Sequence, residues 1–419
     1  MKILNVSISD IGSGAPQATY RLHKALLVAG VESQMLVQFK ISDDFTVIGP
    51  ITKIQKMIAR LRIHLDPLPV YLYKHRKKQL FSPSWLPFST IVNRINTISP
   101  DLVHLHWING GMMRIEDMVK IKAPIVWSLH DNWGFTGGCH VMLECEKYKV
   151  ACGACPRLGS SKENDLSRSV FNRKRKTFSK LKNMTVIGLS NWLANCAKES
   201  SLFKNNHVIC LPNPINTKNF APFDKIESRK LFNLPEDKKL VLFGAQSATT
   251  DINKGFNKLT EALKNINTQN VELVVFGSSQ PKQTQNFKQP VNYLGYLHDN
   301  HSLRALYSAA DVMVVPSIQE AFGQTASESM ACGTPVVAFG ATGLLDIVDH
   351  RVNGYLAKPF DTNDLAQGID WVLNAENYSE LCKNAQDKVL KEFDSKVVAN
   401  KYIELYEKIL TQTQKMFRG

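Results

Sequence analysis

Short apolar runs alternate with helix-like segments along most of this 419-residue chain. In the first half the apolar runs are residues 2–8, 33–39, 102–107, 125–130, 185–190 and 208–211. A helix-like segment, residues 15–29, separates the first two runs. Because buried parallel strands are short and apolar throughout, this alternation predicts a doubly wound α/β domain.

A second alternation follows a proline-rich segment, residues 212–222, that is typical of a linker. Its apolar runs are residues 240–243, 271–276, 293–297, 312–315 and 336–339, and its helix-like segments are 255–266, 301–309, 362–373, 378–392 and the amphipathic 396–412. We therefore predict two α/β domains with a ligand cleft between them. The predicted boundaries are residues 1–215, residues 216–395 and a terminal helix at 396–419.

The stretch at residues 311–339 carries the most chemical information. Glu320 falls in the loop after a predicted strand, which is where ligands of open parallel sheets bind. Residues 323–325 open the next helix, and the free N–H groups of a helix N-terminus suit an anion. Glu328 lies about one turn further on, and ionised carboxylates accept hydrogen bonds from sugar hydroxyls. Alternatively, Glu320 caps the helix and Glu328 is a solvated surface residue.

Three further loops are predicted at the carboxyl ends of strands. Gly12 and Gly14 lie in a glycine-rich turn that lets backbone amides approach a phosphate. Gln246 and Lys254 follow the first strand of the second domain, and a lysine beside a helix N-terminus suits a diphosphate. His130 can hydrogen-bond a sugar hydroxyl. Alternatively, the glycine-rich segment is an ordinary turn, Lys254 is a solvated cation, and His130 is a buried histidine that forms hydrogen bonds with backbone groups.

Composition and charge limit the class of protein. A chain of 419 residues is too long for one ordinary core and suits two domains. A hydrophobic content of 44% and a charged content of 21% are typical of a globular protein. The sequence shows neither a signal peptide nor an apolar run of about 20 residues, so we expect a cytoplasmic protein.

The net charge of +14 is concentrated in two basic sets. The first set is Lys53, Lys56, Arg60, Arg62, Lys74, Arg76, Lys77 and Lys78, and the second is Arg168, Arg173, Lys174, Arg175, Lys176, Lys180 and Lys182. In the first, Ile51, Ile54, Ile58, Leu61 and Leu65 recur at helical spacing. This pattern indicates either a helix that lies on an anionic membrane or a helix whose apolar stripe faces the core. Nucleic-acid binding is not expected, since no known nucleic-acid-binding module is visible.

Four of the eight cysteines lie within seventeen residues, at Cys139, Cys145, Cys152 and Cys155. Four thiols that include a C-x-x-C pair suit a tetrahedral structural zinc site, although the first spacing is wide. Free or redox-active thiols and disulfides are the alternatives. A metal here would brace the loop that follows His130 rather than take part in the chemistry.

Several of these segments together resemble one enzyme family. The residues EAFGQTASE at 320–328 and MACGTPVV at 330–337 are similar to the E-x7-E region of family 4 retaining glycosyltransferases. The segments PNPI at 212–215 and NGY at 353–355 resemble the same family. The stretch HDNWGFTGGCH at 130–140, with the later C-x-x-C-P, resembles a subgroup found in bacterial capsule and exopolysaccharide clusters.

The resemblance implies a GT-B fold, in which two Rossmann-like domains face each other across a cleft and a C-terminal helix crosses back to the first domain. It implies catalytic roles for Glu320 at the donor sugar, Lys254 at the diphosphate and His130 at the sugar. The donor-binding residues would be Glu328 on the ribose, Gln246, Gly323, Gln324, Thr325, Gly12 and Gly14. Gln246 stands where the family usually has an arginine, so Lys254 with the helix dipole, or another cation, would have to compensate.

The resemblance further implies a retaining, metal-independent hexosyltransferase. It would move a sugar from a nucleoside diphosphate sugar to a hydroxyl of a glycan or lipid-linked glycan in cell-surface polysaccharide synthesis, and the basic sets could hold it peripherally on an anionic membrane. The alternatives are a nucleotide-sugar epimerase of the same architecture and a non-enzymatic membrane-surface protein. The donor base and sugar, the acceptor and the linkage stay open, because spacing does not show the shape of a pocket.

Overall fold

The computed structural model describes residues 1–12, 14–280, 287–297 and 299–418. The chain forms two compact units, Met1–Pro212 with residues from Val398 onward, and Asn213–Val397. The chain passes from the first unit to the second after residue 212 and returns to the first after residue 397. The boundaries predicted from the sequence were after residues 215 and 395.

The first unit is built on a parallel sheet of seven strands in the order β3-β2-β1-β4-β5-β6-β7. Its strands are β1 (Lys2–Ser9), β2 (Glu32–Phe39), β3 (Val47–Ile48), β4 (Leu102–Leu105), β5 (Ile125–Leu129), β6 (Met184–Gly188) and β7 (His207–Cys210). The inner strands β4, β5 and β6 are buried along their whole length. This burial on both faces explains why their sequences are apolar runs rather than alternating ones.

Helices cover this sheet and connect its strands. They are α1 (Ala15–Val28), α2 (Lys53–Leu65), α3 (Leu68–Tyr71), α4 (Ile91–Ile98), α5 (Leu166–Phe178) and α6 (Asn191–Glu199). Short 3-10 turns occur at Ile115–Lys120, Trp133–Phe135 and Lys147–Lys149. Helix α2 begins with a capping box formed by Thr52 and Gln55, which pairs two backbone N–H groups at its start.

The second unit contains a parallel sheet of six strands in the order β10-β9-β8-β11-β12-β13. Its strands are β8 (Lys239–Gly244), β9 (Val271–Phe276), β10 (Val291–Tyr293), β11 (Val312–Val315), β12 (Val336–Phe339) and β13 (Gly354–Ala357). The strand predicted at residues 293–297 corresponds to β10, which begins earlier, at Val291, and ends at Tyr293. Its residues pair with Leu273, Val274 and Val275 of β9, so register with β9 sets its bounds.

The helices of this unit are α7 (Lys225–Leu231), α8 (Phe256–Leu263), α9 (Asn300–Ala309), α10 (Gln324–Ala331), α11 (Thr362–Leu373) and α12 (Tyr378–Glu392), and 3-10 turns lie at Ile252–Lys254 and Thr342–Asp346. The core of the unit packs α8 and α11 against one face of the sheet, with Leu259, Leu263, Leu365 and Ile369 fully buried. This packing holds the loops at the sheet edges in place.

The terminal helix α13 (Ser395–Arg418) belongs mostly to the first unit. Val398, Tyr402 and Tyr406 are buried in a cluster that includes Ile3 and Val126 of the first sheet. The return of this helix to the first unit confirms that part of the predicted architecture. Among the helices in the described ranges, none is both long and apolar enough to cross a membrane.

Candidate active site

The predicted site residues of the second unit surround the point where its strand order reverses. From β8 the chain proceeds outward to β9 and β10 and then returns to β11 on the other side of β8. The loops that leave β8 and β11 therefore diverge at this point, which is where open parallel sheets bind ligands. Gln246 and Lys254 lie in the first loop and Glu320 in the second.

Lys254 and Glu320 form an ion pair between these two loops. Lys254 Nζ lies 2.7 Å from Glu320 Oε1, and Ser317 Oγ donates to the same oxygen at 2.9 Å. Both side chains are partly buried. Burial opposes the charge on Lys254, but the charge and hydrogen bond of Glu320 outweigh it, so the pKa of Lys254 lies above its ordinary value. The pair therefore places a fixed ammonium at this sheet edge.

The backbone around Glu320 is held by residues that the sequence analysis did not single out. Asn253 Nδ2 donates to Gln319 O at 2.8 Å, and its Oδ1 accepts from Gln319 N at 3.1 Å. Thr342 Oγ1 accepts the backbone N–H of Glu320 at 3.0 Å. Asn253 precedes Lys254 directly, which is the one sequence signal that could have pointed to it. Asn253 thus joins the two loops and sets the distance between Lys254 and Glu320.

Gly255 allows the two loops to approach this closely. It adopts a left-handed conformation with φ +72°, and a Cβ added here would lie 1.9 Å from Pro316 O. No side chain fits in that space, because real Cβ contacts are much longer. Gly255 therefore both ends the turn that carries Lys254 and begins α8.

The N-terminus of α10 lies directly after Glu320 in the chain. Gly323 is the N-cap, and Gln324 and Thr325 form the first turn, as the sequence predicts. The first N–H groups of a helix have no partner within it and favour an anion. Gln324 Nε2 is buried and has no hydrogen-bond partner among the described residues. The start of α10 therefore contains a buried amide donor without a partner among the described residues.

Glu328 lies inside α10 and is only 6% exposed, so the alternative that it is a solvated surface residue is wrong. Tyr307 OH donates to Glu328 Oε2 at 2.8 Å and so orients the carboxylate. Its assignment to a ribose stays a prediction, as does the role of Gln246, whose side chain is exposed after β8.

The first unit has an equivalent reversal between β1 and β4. Gly12 and Gly14 follow β1 there, and Gly14 is the N-cap of α1, while Ser13 lies outside the described residues. Asp10, buried at the start of this turn, accepts the backbone N–H groups of Ile41 at 2.8 Å and Ser42 at 2.9 Å. Asp10 thus holds the glycine turn against the segment after β2.

His130 follows β5 at the same edge of the first sheet and contacts His106. Asn5 Nδ2 donates to Ser33 Oγ at 3.0 Å, which leaves Asn5 Oδ1 to accept from His106 Nε2 at 3.4 Å. A neutral His106 then accepts at Nδ1 from His130 Nε2, at 3.0 Å. In this network Nδ1 of a neutral His130 remains as an acceptor. The hydrogen-bond partner of His130 is the side chain of His106 rather than a backbone group.

Burial keeps both histidines neutral. It lowers the pKa of His130 to about 4, against the opposing charge of Asp131, and lowers the pKa of His106 well below its ordinary value. His106 was not predicted, although the alternating HLHW at 104–107 places it next to a strand end. A neutral imidazole suits hydrogen bonding to a hydroxyl rather than binding of an anion.

A surface groove of about 710 Å³ lies elsewhere in the first unit. Its walls include Met184 and His207, at the starts of β6 and β7, and Leu405 of α13. None of the predicted site residues lines it. The candidate site is therefore distinguished by the topology and charges of the sheet edges, and this groove is separate from it.

Residues 224–389 match the family model described as Glycosyl transferases group 1. The matched range contains Gln246, Lys254, Glu320 and Glu328. It therefore covers the ion pair and the reversal point of the second sheet, but none of the first unit.

Among curated proteins, an uncharacterized glycosyltransferase of Methanocaldococcus jannaschii is 31% identical over 193 residues, which is 44% of this chain and 48% of that protein. The N,N'-diacetylbacillosaminyl-diphospho-undecaprenol alpha-1,3-N-acetylgalactosaminyltransferase of Campylobacter jejuni is 27% identical over 204 residues, 47% of this chain and 53% of that protein. The chain thus spans about half the length of these relatives.

Solved structures match nearly the whole chain. Sucrose-phosphate synthase from Thermosynechococcus elongatus has a TM-score of 0.68 at 21% identity, covering 98% of this chain and 100% of that one. Anabaena HepE in complex with UDP and glucose has a TM-score of 0.63 at 17% identity, covering 97% and 99%. At these identities the likeness shows the fold, and the predicted GT-B class of two Rossmann-like units is confirmed.

Proposed function

We propose that this protein is a retaining hexosyltransferase that moves a sugar from a nucleoside diphosphate sugar to a hydroxyl of a glycan or lipid-linked glycan in cell-surface polysaccharide synthesis. The observation that carries the proposal is the Lys254–Glu320 pair beside the N-terminus of α10, within the range that matches the glycosyl transferase family. The printed names of relatives that act on lipid-linked and capsular glycans support the acceptor class.

In this proposal the donor's diphosphate lies against Lys254 and the first N–H groups of α10. The bond between the anomeric carbon and the diphosphate breaks, and the ammonium and helix N-terminus stabilise the negative charge that develops on the leaving group. A new bond forms between the anomeric carbon and the acceptor oxygen. The acceptor's proton passes to an oxygen of the leaving diphosphate, so no protein nucleophile is needed.

Glu320 orients the donor sugar and stabilises the positive charge that develops at its anomeric carbon. Glu328, oriented by Tyr307, accepts from the ribose hydroxyls. On the first unit, Nδ1 of His130 accepts from a sugar hydroxyl. Since Lys254 and the helix N-terminus supply the positive charge, we expect equal turnover with and without added magnesium.

The decisive experiment incubates the full chain with UDP- and GDP-sugars, alone and with lipid-linked or oligosaccharide acceptors. We expect a glycoside whose anomeric configuration, read by NMR, equals that of the donor. An inverted product would contradict retention.

Calorimetric titration with UDP and with GDP checks the donor class separately. If neither nucleotide binds, a nucleotide-sugar donor with either base is contradicted.

A nucleotide-sugar epimerase is the alternative enzyme, and it would convert the donor without any acceptor. The incubations with donor alone therefore separate the two. A changed sugar on the recovered nucleotide supports the epimerase, whereas an intact donor that is consumed only when an acceptor is present supports the transferase.

We further propose that the apolar side of α2 contacts an anionic membrane surface, where a lipid-linked acceptor would lie. Ile51, Ile54 and Leu61 are 83%, 66% and 53% exposed, so the alternative that the stripe faces the core is wrong. Only Ala59 of this helix is buried. Exposed aliphatic side chains beside the cations Lys53 and Lys56 fit the boundary between acyl chains and anionic headgroups.

The helix is held to the first unit through its other side. Arg62 donates to the carbonyl oxygens of Gly111 at 2.6 Å, Pro87 at 2.7 Å and Leu86 at 3.0 Å. Gln38 Nε2 donates to Ala59 O at 3.2 Å. These contacts hold the helix against the first unit and leave its apolar side chains in solvent. The exposure of these side chains is therefore part of the folded structure.

The second basic set contributes less to such a surface. Arg168 pairs with Glu163 at 2.7 Å, and Arg173 pairs with Glu116 at 2.7 Å. Lys174 is fully buried. Arg175 donates to Asn172 Oδ1 at 2.8 Å. Four of the seven cations are therefore engaged within the protein, and charge for a membrane comes mainly from the first set.

Sedimentation with vesicles tests this contact. Vesicles that contain phosphatidylserine should bind the chain, and vesicles of phosphatidylcholine alone should bind it weakly. The Ile54→Glu, Leu61→Glu double variant should lose binding, whereas the control Lys180→Gln, Lys182→Gln should keep it. Unchanged binding by the first variant would contradict the proposed surface and leave the transferase proposal intact.

A further inference from the structure

Four thiols converge in the long loop between β5 and α5 of the first unit. We call Cys139, Cys145, Cys152 and Cys155 the four-cysteine cluster. All four line one small cavity of about 20 Å³. A cavity of about this volume holds a single water-sized particle. The loop therefore surrounds a space for one ion or atom with sulfur on several sides.

Backbone hydrogen bonds hold two of the cysteines beside this cavity. Gly137 N donates to Cys152 Sγ at 3.1 Å. The N–H groups of Leu158 and Ser160 both donate to Cys155 O at 3.1 Å, which fixes the turn that carries this cysteine.

The packing of Gly137 shows how closely the loop is folded around the cavity. A Cβ added at this position would lie 2.7 Å from the Cβ of Cys152 and 2.5 Å from Ser167 O. Cys155 is tied to the start of α5 by its N–H, which donates to Asp165 Oδ2 at 2.8 Å. Cys152 and Cys155 are thus both held at the wall of the cavity by hydrogen bonds.

A buried lysine anchors the segment that precedes the first cysteine of the cluster. Lys174 of α5 has no exposed surface, donates to Thr136 O at 3.0 Å and to Trp133 O, and lies 3.6 Å from the ring centre of Trp133. Thr136 Oγ1 in turn donates to Cys139 O at 2.7 Å. These contacts tie the segment that leads to the first cysteine to α5.

His140 is occupied elsewhere, although it is adjacent to the first cysteine. Its Nδ1 lies 2.6 Å from Asp131 Oδ2 and its Nε2 lies 2.8 Å from Ser82 Oγ. Both ring nitrogens are therefore used, and the cavity offers sulfur ligands. Four sulfurs in tetrahedral arrangement select zinc or an iron–sulfur site, and a cavity for one ion favours zinc.

We propose that the four-cysteine cluster binds one structural zinc ion. Within the described residues, no three His, Cys, Asp or Glu side chains are already grouped at metal-binding distance. Ligation therefore requires the thiols to rotate toward the shared cavity. All eight cysteines are free thiols, so no disulfide prevents this movement.

The ion would brace the loop that begins at His130. Asp131 accepts from Trp107 Nε1 at 3.0 Å and contacts His140, and Asn132 N donates to His140 O at 3.1 Å. Cys139 thus lies next to the residue that holds the first turn after His130. Zinc would position His130 through this chain of contacts, without touching a substrate.

Metal analysis of the full chain, purified under reducing conditions without added chelator, tests the site. We expect one zinc per chain and no iron. Replacement by Co²⁺ should produce the strong visible absorption and the sulfur-to-metal charge-transfer bands of a tetrahedral thiolate site. The Cys155→Ser variant should lose the metal, and the control Cys382→Ser, in the second unit, should keep it.

Two outcomes would overturn the proposal: a chain without metal whose four thiols are all reduced, or disulfides within the cluster found by mass spectrometry. If Cys155→Ser does not fold, thiol counting before and after release of zinc from the unsubstituted chain decides the same question. Titration with UDP and GDP probes the second unit. Its result therefore distinguishes a failure of the zinc proposal from a failure of the proposed donor site.

Discussion

At the scale of single residues, the ion pair between Lys254 and Glu320 is the central feature of the candidate site in the second unit. One carboxylate oxygen of Glu320 accepts from both Lys254 and Ser317. The lysine stays charged because its partner outweighs the cost of burial. In the proposed mechanism the two residues have separable roles, with Lys254 acting on the diphosphate and Glu320 on the sugar.

Glu320→Gln should reduce turnover while leaving nucleotide binding nearly intact. The neutral amide keeps the size of the side chain but removes the negative charge near the anomeric carbon. Losing such electrostatic stabilisation costs roughly 100-fold to 1000-fold in turnover. Turnover with the identified donor and a UDP or GDP titration measure the two effects. An unchanged turnover would contradict the role.

Lys254→Ala should weaken binding of the nucleoside diphosphate by about 10-fold to 100-fold, because a charged hydrogen bond to the diphosphate is lost. Calorimetry measures the change directly. Lys264→Ala, which removes an exposed cation of the same unit, is the matched control and should bind as the unsubstituted protein does. Equal affinity of the two variants would show that Lys254 does not contact the diphosphate.

Elements of the first unit are joined by buried histidines as well as by aliphatic packing. His23 of α1 lies fully buried, with Nδ1 2.8 Å from Ser33 Oγ and Nε2 2.8 Å from Thr46 Oγ1. Burial lowers the pKa of His23 to about 4. The contact between α1 and β2 therefore depends on a neutral imidazole.

Acid should destabilise the first unit between about pH 6.5 and pH 4. In this window the unfolded chain binds a proton at His23 that the folded chain does not bind, so the free energy of unfolding falls as pH falls. His130 adds to the effect in the same direction. Urea unfolding at several pH values measures the slope. The slope should be shallower in His23→Gln, and an identical slope in both proteins would contradict the assignment.

At the scale of the whole molecule, α13 begins in the second unit and completes the core of the first. Tyr406 is fully buried, and its OH lies 2.7 Å from His104 Nδ1. His104 in turn contacts Ser128 Oγ through Nε2, at 2.8 Å. Tyr406 therefore links the terminal helix to strands of the first sheet.

Tyr406→Ala should destabilise the first unit by about 3–5 kcal/mol, the usual cost of truncating a buried aromatic side chain. The UDP or GDP affinity of the second unit should persist at temperatures below the transition. Thermal unfolding followed by circular dichroism measures the loss, and Glu404→Ala, on the exposed side of the same helix, is the control. Equal stability of the two variants would contradict the structural role of Tyr406.

Much of the fold was predictable because strand and helix signals are local. Runs such as 312–315 and 336–339 match β11 and β12 residue for residue, since burial on both faces requires apolar side chains at every position. Glu320 and the start of α10 were predictable for the same reason, because a loop position follows from where a strand ends. Asn253 and Thr342 were not, since their roles depend on neighbours far along the chain.

The amino-acid order was thus sufficient to establish two α/β units, their strands and the loops that carry charged residues, because those features depend on neighbours within a few positions. Folding settled which of these residues meet. Lys254 and Glu320 are 66 positions apart, Glu328 is buried beneath Tyr307, and the apolar side of α2 faces solvent although its spacing fits a core equally well. Burial and pairing depend on contacts between distant segments, and periodicity alone contains no information about them.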